Sequence, residues 1–132
     1  MTLSYKAERL SPIIAVADIE KSIRFYADVL GFETALRMDG YAILARETAS
    51  LHLTLAENQA VLDVTRGHTS IYLEVRNIEA LWAHVSRFRD TYKIRELFDR
   101  DYGMREFHIG DPDDCLIFVG EEISTQEHRQ EV

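Results

Sequence analysis

The chain has a single cysteine, Cys115, among 132 residues, which excludes an internal disulfide and a cysteine-built zinc site. Prolines number two and glycines six, too few for a low-complexity linker or a collagen-like repeat. The longest uncharged apolar stretch, residues 11–17, falls far short of the roughly 18 residues a bilayer crossing requires. No membrane partner is expected. The first ten residues carry a lysine, a glutamate and an arginine and no apolar signal-type run, so the expected location is the cytoplasm. Basic side chains are scarce, 15 against 23 acidic for a net charge of −8. Nucleic-acid phosphates reward clusters of Lys and Arg, so a nucleic-acid partner is not expected, whereas a cationic small molecule would be welcomed. Also missing are Gly-x-Gly-x-x-Gly, a phosphate-cradling Walker loop, His-Glu-x-x-His and Gly-x-Ser-x-Gly, which removes the common nucleotide, zinc-protease and triad chemistries.

What is present is an ordinary globular balance, 46% hydrophobic and 29% charged, over a length suited to one domain, 1–132. Residues 12–16 form a short β-branched run that reads as a buried strand. Asp18 then stands as a helix cap, Ile19, Ile23, Tyr26 and Leu30 share one helical face, and Gly31 closes the helix. Three short apolar runs follow, parted by Asp39-Gly40 and by Thr48-Ala49, and Asp-Gly is hairpin chemistry. After an aperiodic polar stretch the order returns: a strand over 70–75, a cap at Asn77, and a helical face of Ile78, Leu81, Trp82, Val85 and Phe88. Strands over 93–98, 104–109 and 116–119 complete it, the last two joined by the turn Asp111-Pro112-Asp113-Asp114.

Sliding the chain by 59 residues sets Val16-Ala17-Asp18-Ile19-Glu20 on Val75-Arg76-Asn77-Ile78-Glu79. An internal repeat is the economical explanation. Matching Asp39-Gly40 to Tyr102-Gly103 needs 63, so the second copy carries extra residues before its last hairpin. The expected fold is α+β: two βαβββ repeats forming an eight-stranded half-open cup with helices outside. Repeat one covers about 9–57, a linker 58–67, repeat two 68–122 and a tail 123–132.

The segments VADIEKSIRFYADVLGF and YGMREFHIGDPDDCLIFVGEE resemble the opening and closing motifs of the vicinal oxygen chelate superfamily, and the second resembles most its bleomycin resistance branch. That superfamily includes metal-dependent glyoxalases and ring-cleaving dioxygenases as well as proteins that sequester drugs without catalysis. The resemblance implies metal-ligand positions at Ser11, Leu53, Ser70 and Phe118. Hydroxyls are poor ligands and the other two side chains have no donor. No metal, cofactor or catalytic residue is therefore expected. A displaced site built from His68, Glu106 and His108 is the alternative, since Glu106 and His108 share a strand face. It would belong to a glyoxalase- or dioxygenase-like enzyme. Cys115 is not expected to be a nucleophile, because flanking aspartates disfavour its thiolate. The Asp111-Pro112-Asp113 turn and Trp82 read as structural.

The implied reading is a non-catalytic protein that holds a bulky cationic or polyaromatic natural product, such as a cationic antibiotic. Its expected ligand-binding residues are Leu53, His108 and Phe118 at the floor with Glu106 beside them, Tyr41 and Tyr102 at the rim, and Leu36 and Met38 on the wall. Exposed sheet edges and an apolar rim lead to the expectation of a symmetric homodimer.

Overall fold

The structure is a computed structural model that describes residues 2–124. Its first unit is β1 (Ile13–Val16), α1 (Ile19–Leu30), β2 (Glu33–Met38), β3 (Tyr41–Arg46) and β4 (Ala49–Leu55). A short helix, α2 (Gln59–Thr65), leads to the second unit: β5 (Ser70–Glu74), α3 (Ile78–Val85), β6 (Ile94–Asp99), β7 (Met104–Gly110) and β8 (Leu116–Glu122). Each unit is a four-stranded sheet, in the orders β1-β4-β3-β2 and β5-β8-β7-β6. In both, the first strand runs parallel to the last and the other neighbours are antiparallel. The α+β class and the two βαβββ repeats with outer helices are as expected. The eight strands divide into two hydrogen-bonded sheets of four.

Local chemistry explains the elements. The Asp18 carboxylate accepts from Lys21 N at 3.1 Å and caps α1. Gly31 ends it at φ 71°, with bonds from Gly31 N to Ala27 O and from Phe32 N to Tyr26 O, the paired bonds of a Schellman end. The second helix begins differently from the expectation. Asn77 occupies the left-handed region at φ 63° and its side chain makes no cap bond. The Glu121 carboxylate, from β8, accepts from Asn77 N at 2.9 Å and Ile78 N at 3.0 Å instead, placing a negative charge where the helix dipole favours one. The stretch expected to be an irregular linker holds α2 because Asn58 caps it through Val61 N and Leu62 is buried.

Period-two alternation gives each sheet a helix-facing side and an open side. Ile14, Val16, Ala42, Leu44, Leu51 and Leu53 from the first sheet share one apolar core with Phe107, Ile109, Ile117 and Val119 from the second. Trp82 packs on this core through Phe107, ring centroids 5.3 Å apart. The β7–β8 turn ties the units together. Asp111 Oδ1 accepts from Asp113 N and Cys115 N, its Oδ2 accepts from Tyr26 OH at 2.7 Å, and Asp113 Oδ1 accepts from Ala17 N at 3.1 Å. The structural role expected for that turn is therefore its observed one, extended to holding α1. Of the expected tail, Ile123 is buried, and residues 125–132 lie outside the described residues.

Candidate functional site

The open face of the second sheet collects chemistry from all four of its strands. Register places Tyr72 of β5 opposite Phe118 of β8, Phe118 opposite His108 of β7, Glu106 opposite Gly120, and Phe98 of β6 opposite Glu106. Glu106 is 0% exposed. A carboxylate taken out of water needs hydrogen-bond donors, and three are supplied. Tyr72 OH donates to Oε2 at 2.7 Å, Tyr102 OH donates to the same oxygen at 2.5 Å, and His108 Nε2 donates to Oε1 at 3.0 Å.

Aromatic rings enclose this centre. Phe118 lies 4.2 Å from the His108 ring and is stacked at 6.3 Å and 15° on Tyr72, while Phe98 meets His108 edge-on at 5.5 Å. Glycine at 120 makes the arrangement possible: a Cβ there would lie 2.0 Å from Tyr72 Oη and 3.2 Å from Glu106 Cγ. A glycine inside a strand often marks such a close approach.

The electrostatics follow. Burial pushes the Glu106 carboxyl up, but the bonds from His108, Tyr102 and Tyr72 outweigh it and hold the group below the usual carboxylate range. Burial and then the bond to Glu106 raise the Tyr72 phenol, and the bond to Glu106 followed by burial raises Tyr102. Both phenols thus stay protonated as donors at neutral pH. The Cys115 thiol is pushed up to about 12, first by burial and then by Asp111 and Asp113, which leaves no thiolate for nucleophilic chemistry.

Four of the expected ligand-binding residues, Tyr102, Glu106, His108 and Phe118, are brought together here. Tyr41, Leu36 and Met38 lie on the open face of the first sheet, where Leu36 pairs with Ile43 and Met38 with Tyr41. Leu53 is a correction. It is 0% exposed and packs in the helix-facing core, because the leucines of β4 alternate with His52 and Thr54. The open-face position equivalent to Phe118 is His52. Each pairs with the matching first strand, Phe118 with Tyr72 and His52 with Ile13. His52 Nδ1 is hydrogen-bonded to Tyr41 OH at 2.5 Å.

The metal positions implied by the resemblance thus become Ser11, His52, Ser70 and Phe118. Ser11 Oγ is bonded to Ser50 Oγ at 2.5 Å, and Phe118 has no donor atom. This set does not fit a divalent metal. Nor do His68, Glu106 and His108 form one: among the described residues no group of three His, Cys, Asp or Glu side chains is arranged to hold a metal ion. Sequence reading missed Tyr72, Phe98 and Gly120. A glycine in the middle of the β8 run was the available signal.

The sequence profile of the Glyoxalase/Bleomycin resistance protein/Dioxygenase superfamily matches residues 9–118, and the chain belongs to that family. Among its relatives, a bleomycin resistance protein of Geobacillus stearothermophilus is 29% identical over 127 residues, covering 86% of this chain and 96% of the relative. A bleomycin-binding protein solved in complex with bleomycin matches at TM-score 0.75 and 20% identity, covering 88% of this chain and 99% of that one. The bleomycin-binding protein of Streptomyces verticillus, solved with copper(II)-bleomycin, matches at TM-score 0.70 and 25% identity, covering 92% and 99%. Among the described residues no helix is long and apolar enough to cross a membrane.

Proposed function

We propose that this chain is a non-catalytic binding protein that sequesters a bulky cationic or polyaromatic natural product of the bleomycin type. The observation carrying this reading is the carboxylate of Glu106, withdrawn from water and saturated by Tyr72, Tyr102 and His108 beneath the rings of Phe98 and Phe118. A carboxylate with its lone pairs so engaged is a poor base and a poor metal ligand. Its partners are, however, rigidly placed for stacking on a flat ligand. The bleomycin resistance and bleomycin-binding relatives support the same reading.

The proposed ligand site takes Tyr102, Phe118, His108 and Glu106 from the second open face and Leu36, Met38 and Tyr41 from the first. Ile13 is 62% exposed, and Leu36 and Met38 are also uncovered. Such apolar surface suits coverage by a second copy, so the working unit is a symmetric homodimer with two equal ligand sites, acting in the cytoplasm.

Titration calorimetry with bleomycin tests the reading. One drug molecule per chain is expected, recovered chemically unchanged by mass spectrometry, with light scattering reporting a dimer of the 15.3 kDa chain. Tyr102→Ala should weaken binding about 5- to 100-fold through lost stacking. Absence of binding overturns the proposal, as does modification of the drug. Stoichiometric zinc, nickel, manganese or iron in protein purified without chelator would return the metal-dependent enzyme reading.

A further inference from the structure

The charges beside the second open face run against the acidic surplus of the chain. Arg95 Cζ lies 4.0 Å from the centroid of the Phe98 ring. Arg100 Cζ lies 5.2 Å from the same ring and 5.0 Å from that of Tyr102. Neighbouring carboxylates are drawn elsewhere: Glu96 pairs with Arg89 at 2.5 Å, and Asp99 pairs with Arg105 at 2.7 Å. Among the described residues, Arg37, Arg46, Arg66, Arg89 and Arg105 each meet a carboxylate, whereas Arg9, Arg24, Arg76, Arg87, Arg95 and Arg100 do not, and of these six Arg95 and Arg100 are the two that lie over rings of the site. Acids outnumber bases by eight in this chain, so the missing partners are not a matter of supply.

Two guanidinium groups thus stand over aromatic rings of the site with N–H donors turned to no protein carboxylate. The one carboxylate at its centre, Glu106, already accepts three hydrogen bonds. Glu74 of β5 shares this face beside Tyr72, at the opposite edge of the sheet from β6, and at the β6 edge a planar oxyanion finds two forked donors of matching geometry. We propose that the second open face binds a planar aromatic group bearing an anionic substituent, a sulfonate, carboxylate or phosphate, with the oxyanion on Arg95 and Arg100 and the ring against Phe98, Tyr102 and Phe118. The inference rests on the reading of this face as the ligand site and deepens it. It assigns the polyaromatic, acceptor-bearing part of the ligand to the second unit, and leaves any cationic part to surfaces where the net acidic charge acts.

Three probes sharing one ring decide it: naphthalene-1-sulfonate, the neutral naphthalene-1-sulfonamide, and 1-naphthylmethylammonium. Titrated into the full chain by calorimetry and ligand-observed NMR, the sulfonate should bind at least about tenfold more tightly than the sulfonamide, with the ammonium weakest. The combined Arg95→Gln and Arg100→Gln variant should lower sulfonate affinity to the sulfonamide level while leaving the sulfonamide unchanged. Equal affinity for all three probes overturns the inference, and so does a sulfonate preference that survives the double substitution. Bleomycin titrated into the same preparations separates this from the underlying reading. Bleomycin binding beside indiscriminate probes sinks the arginine assignment alone, whereas selective sulfonate binding without bleomycin binding sinks the bleomycin reading alone. Binding of none sinks both.

Discussion

The two units share a strand order and a pairing register, and their open faces differ in what that register presents. In the first, Ile13, Tyr41, Ile43, His52 and Thr54 hold the positions that Tyr72, Glu106, His108, Phe118 and Gly120 hold in the second. The first face has two polar contacts between side chains, Tyr41 with His52 and Ser11 with Ser50, amid exposed aliphatic side chains. The second has a carboxylate network roofed by rings. Duplication of a scaffold therefore fixed geometry and left chemistry free: one copy became an apolar wall and the other a polar-centred aromatic platform.

The largest effect expected from breaking this comparison is in the first unit's core. Leu53→Ala empties a fully buried site and should cost about 2–5 kcal/mol of stability with no change in ligand affinity per folded molecule. Phe118→Ala, on the open face, should destabilise less and weaken ligand binding. Chemical denaturation and calorimetry on both variants check the contrast. A binding defect in Leu53→Ala that persists under conditions where it is fully folded would return Leu53 to the site.

Next in size is Gly120→Ala against Thr54→Ala. At 120 the added Cβ would displace the Tyr72 ring, removing one of three donors from a buried carboxylate at a cost of about 1–3 kcal/mol. At 54, the equivalent first-sheet position, the change touches no such network and should be close to neutral. The diagnostic reading is a Tyr72 hydroxyl that becomes solvent-exchangeable in Gly120→Ala. Unaltered exchange and stability would mean that Tyr72 is free to leave Glu106 without consequence.

How far the sequence revealed these faces depends on the range of the interaction. The repeat was legible because helix caps and turn glycines are local signals: Asp18, Gly31 and Gly40 behave as their chemistry requires, with Gly31 and Gly40 at positive φ. Glu106 and His108 were legible as partners because alternation along a single strand aligns them. Leu53 went astray through a family position displaced by one residue, and a slip of one reverses the face of a strand. The alternation of leucines at 51, 53 and 55 with His52 and Thr54 carried the correct answer. Tyr72 could not be read in the same way, since its bond to Glu106 spans 34 residues and requires the strand between them, β8, to carry a glycine at the crossing point. The Glu121 cap on α3 is hidden for the same reason, 43 residues from Ile78.

The pH dependence sets two carboxyl groups of the second unit against each other. Glu106 is held below the usual carboxylate range in the folded chain, so the folded state binds its proton less readily than the unfolded state. Its contribution to stability is complete above the unfolded value and is lost as pH falls through the folded one. Asp111 has the opposite sign: burial raises it above its ordinary value against the hydrogen bonds that lower it. Acidification through its range favours the folded state and partly offsets the loss at Glu106. In Glu106→Gln the acid-side decline in unfolding free energy between about pH 5 and 3 should therefore flatten or reverse, measured by denaturant titration at each pH. An unchanged slope would assign the decline to other carboxylates.

The smallest effect distinguishes the two helix starts. Asp18 caps α1 through its own side chain, so Asp18→Ala should cost about 1 kcal/mol, as loss of an N-cap oxygen generally does. Asn77 holds the matching place at α3 without capping it, and its backbone sits at φ 63°, where a glycine is at least as comfortable as an asparagine. Asn77→Gly should then change stability by less than about 0.5 kcal/mol, while Glu121→Gln, which weakens the charge that serves both Asn77 N and Ile78 N, should cost more than Asn77→Gly does. Equilibrium denaturation of the three variants at neutral pH orders them directly. If Asn77→Gly proves as costly as Asp18→Ala, the asparagine side chain contributes to the start of α3 after all, and the two units begin their helices by the same device.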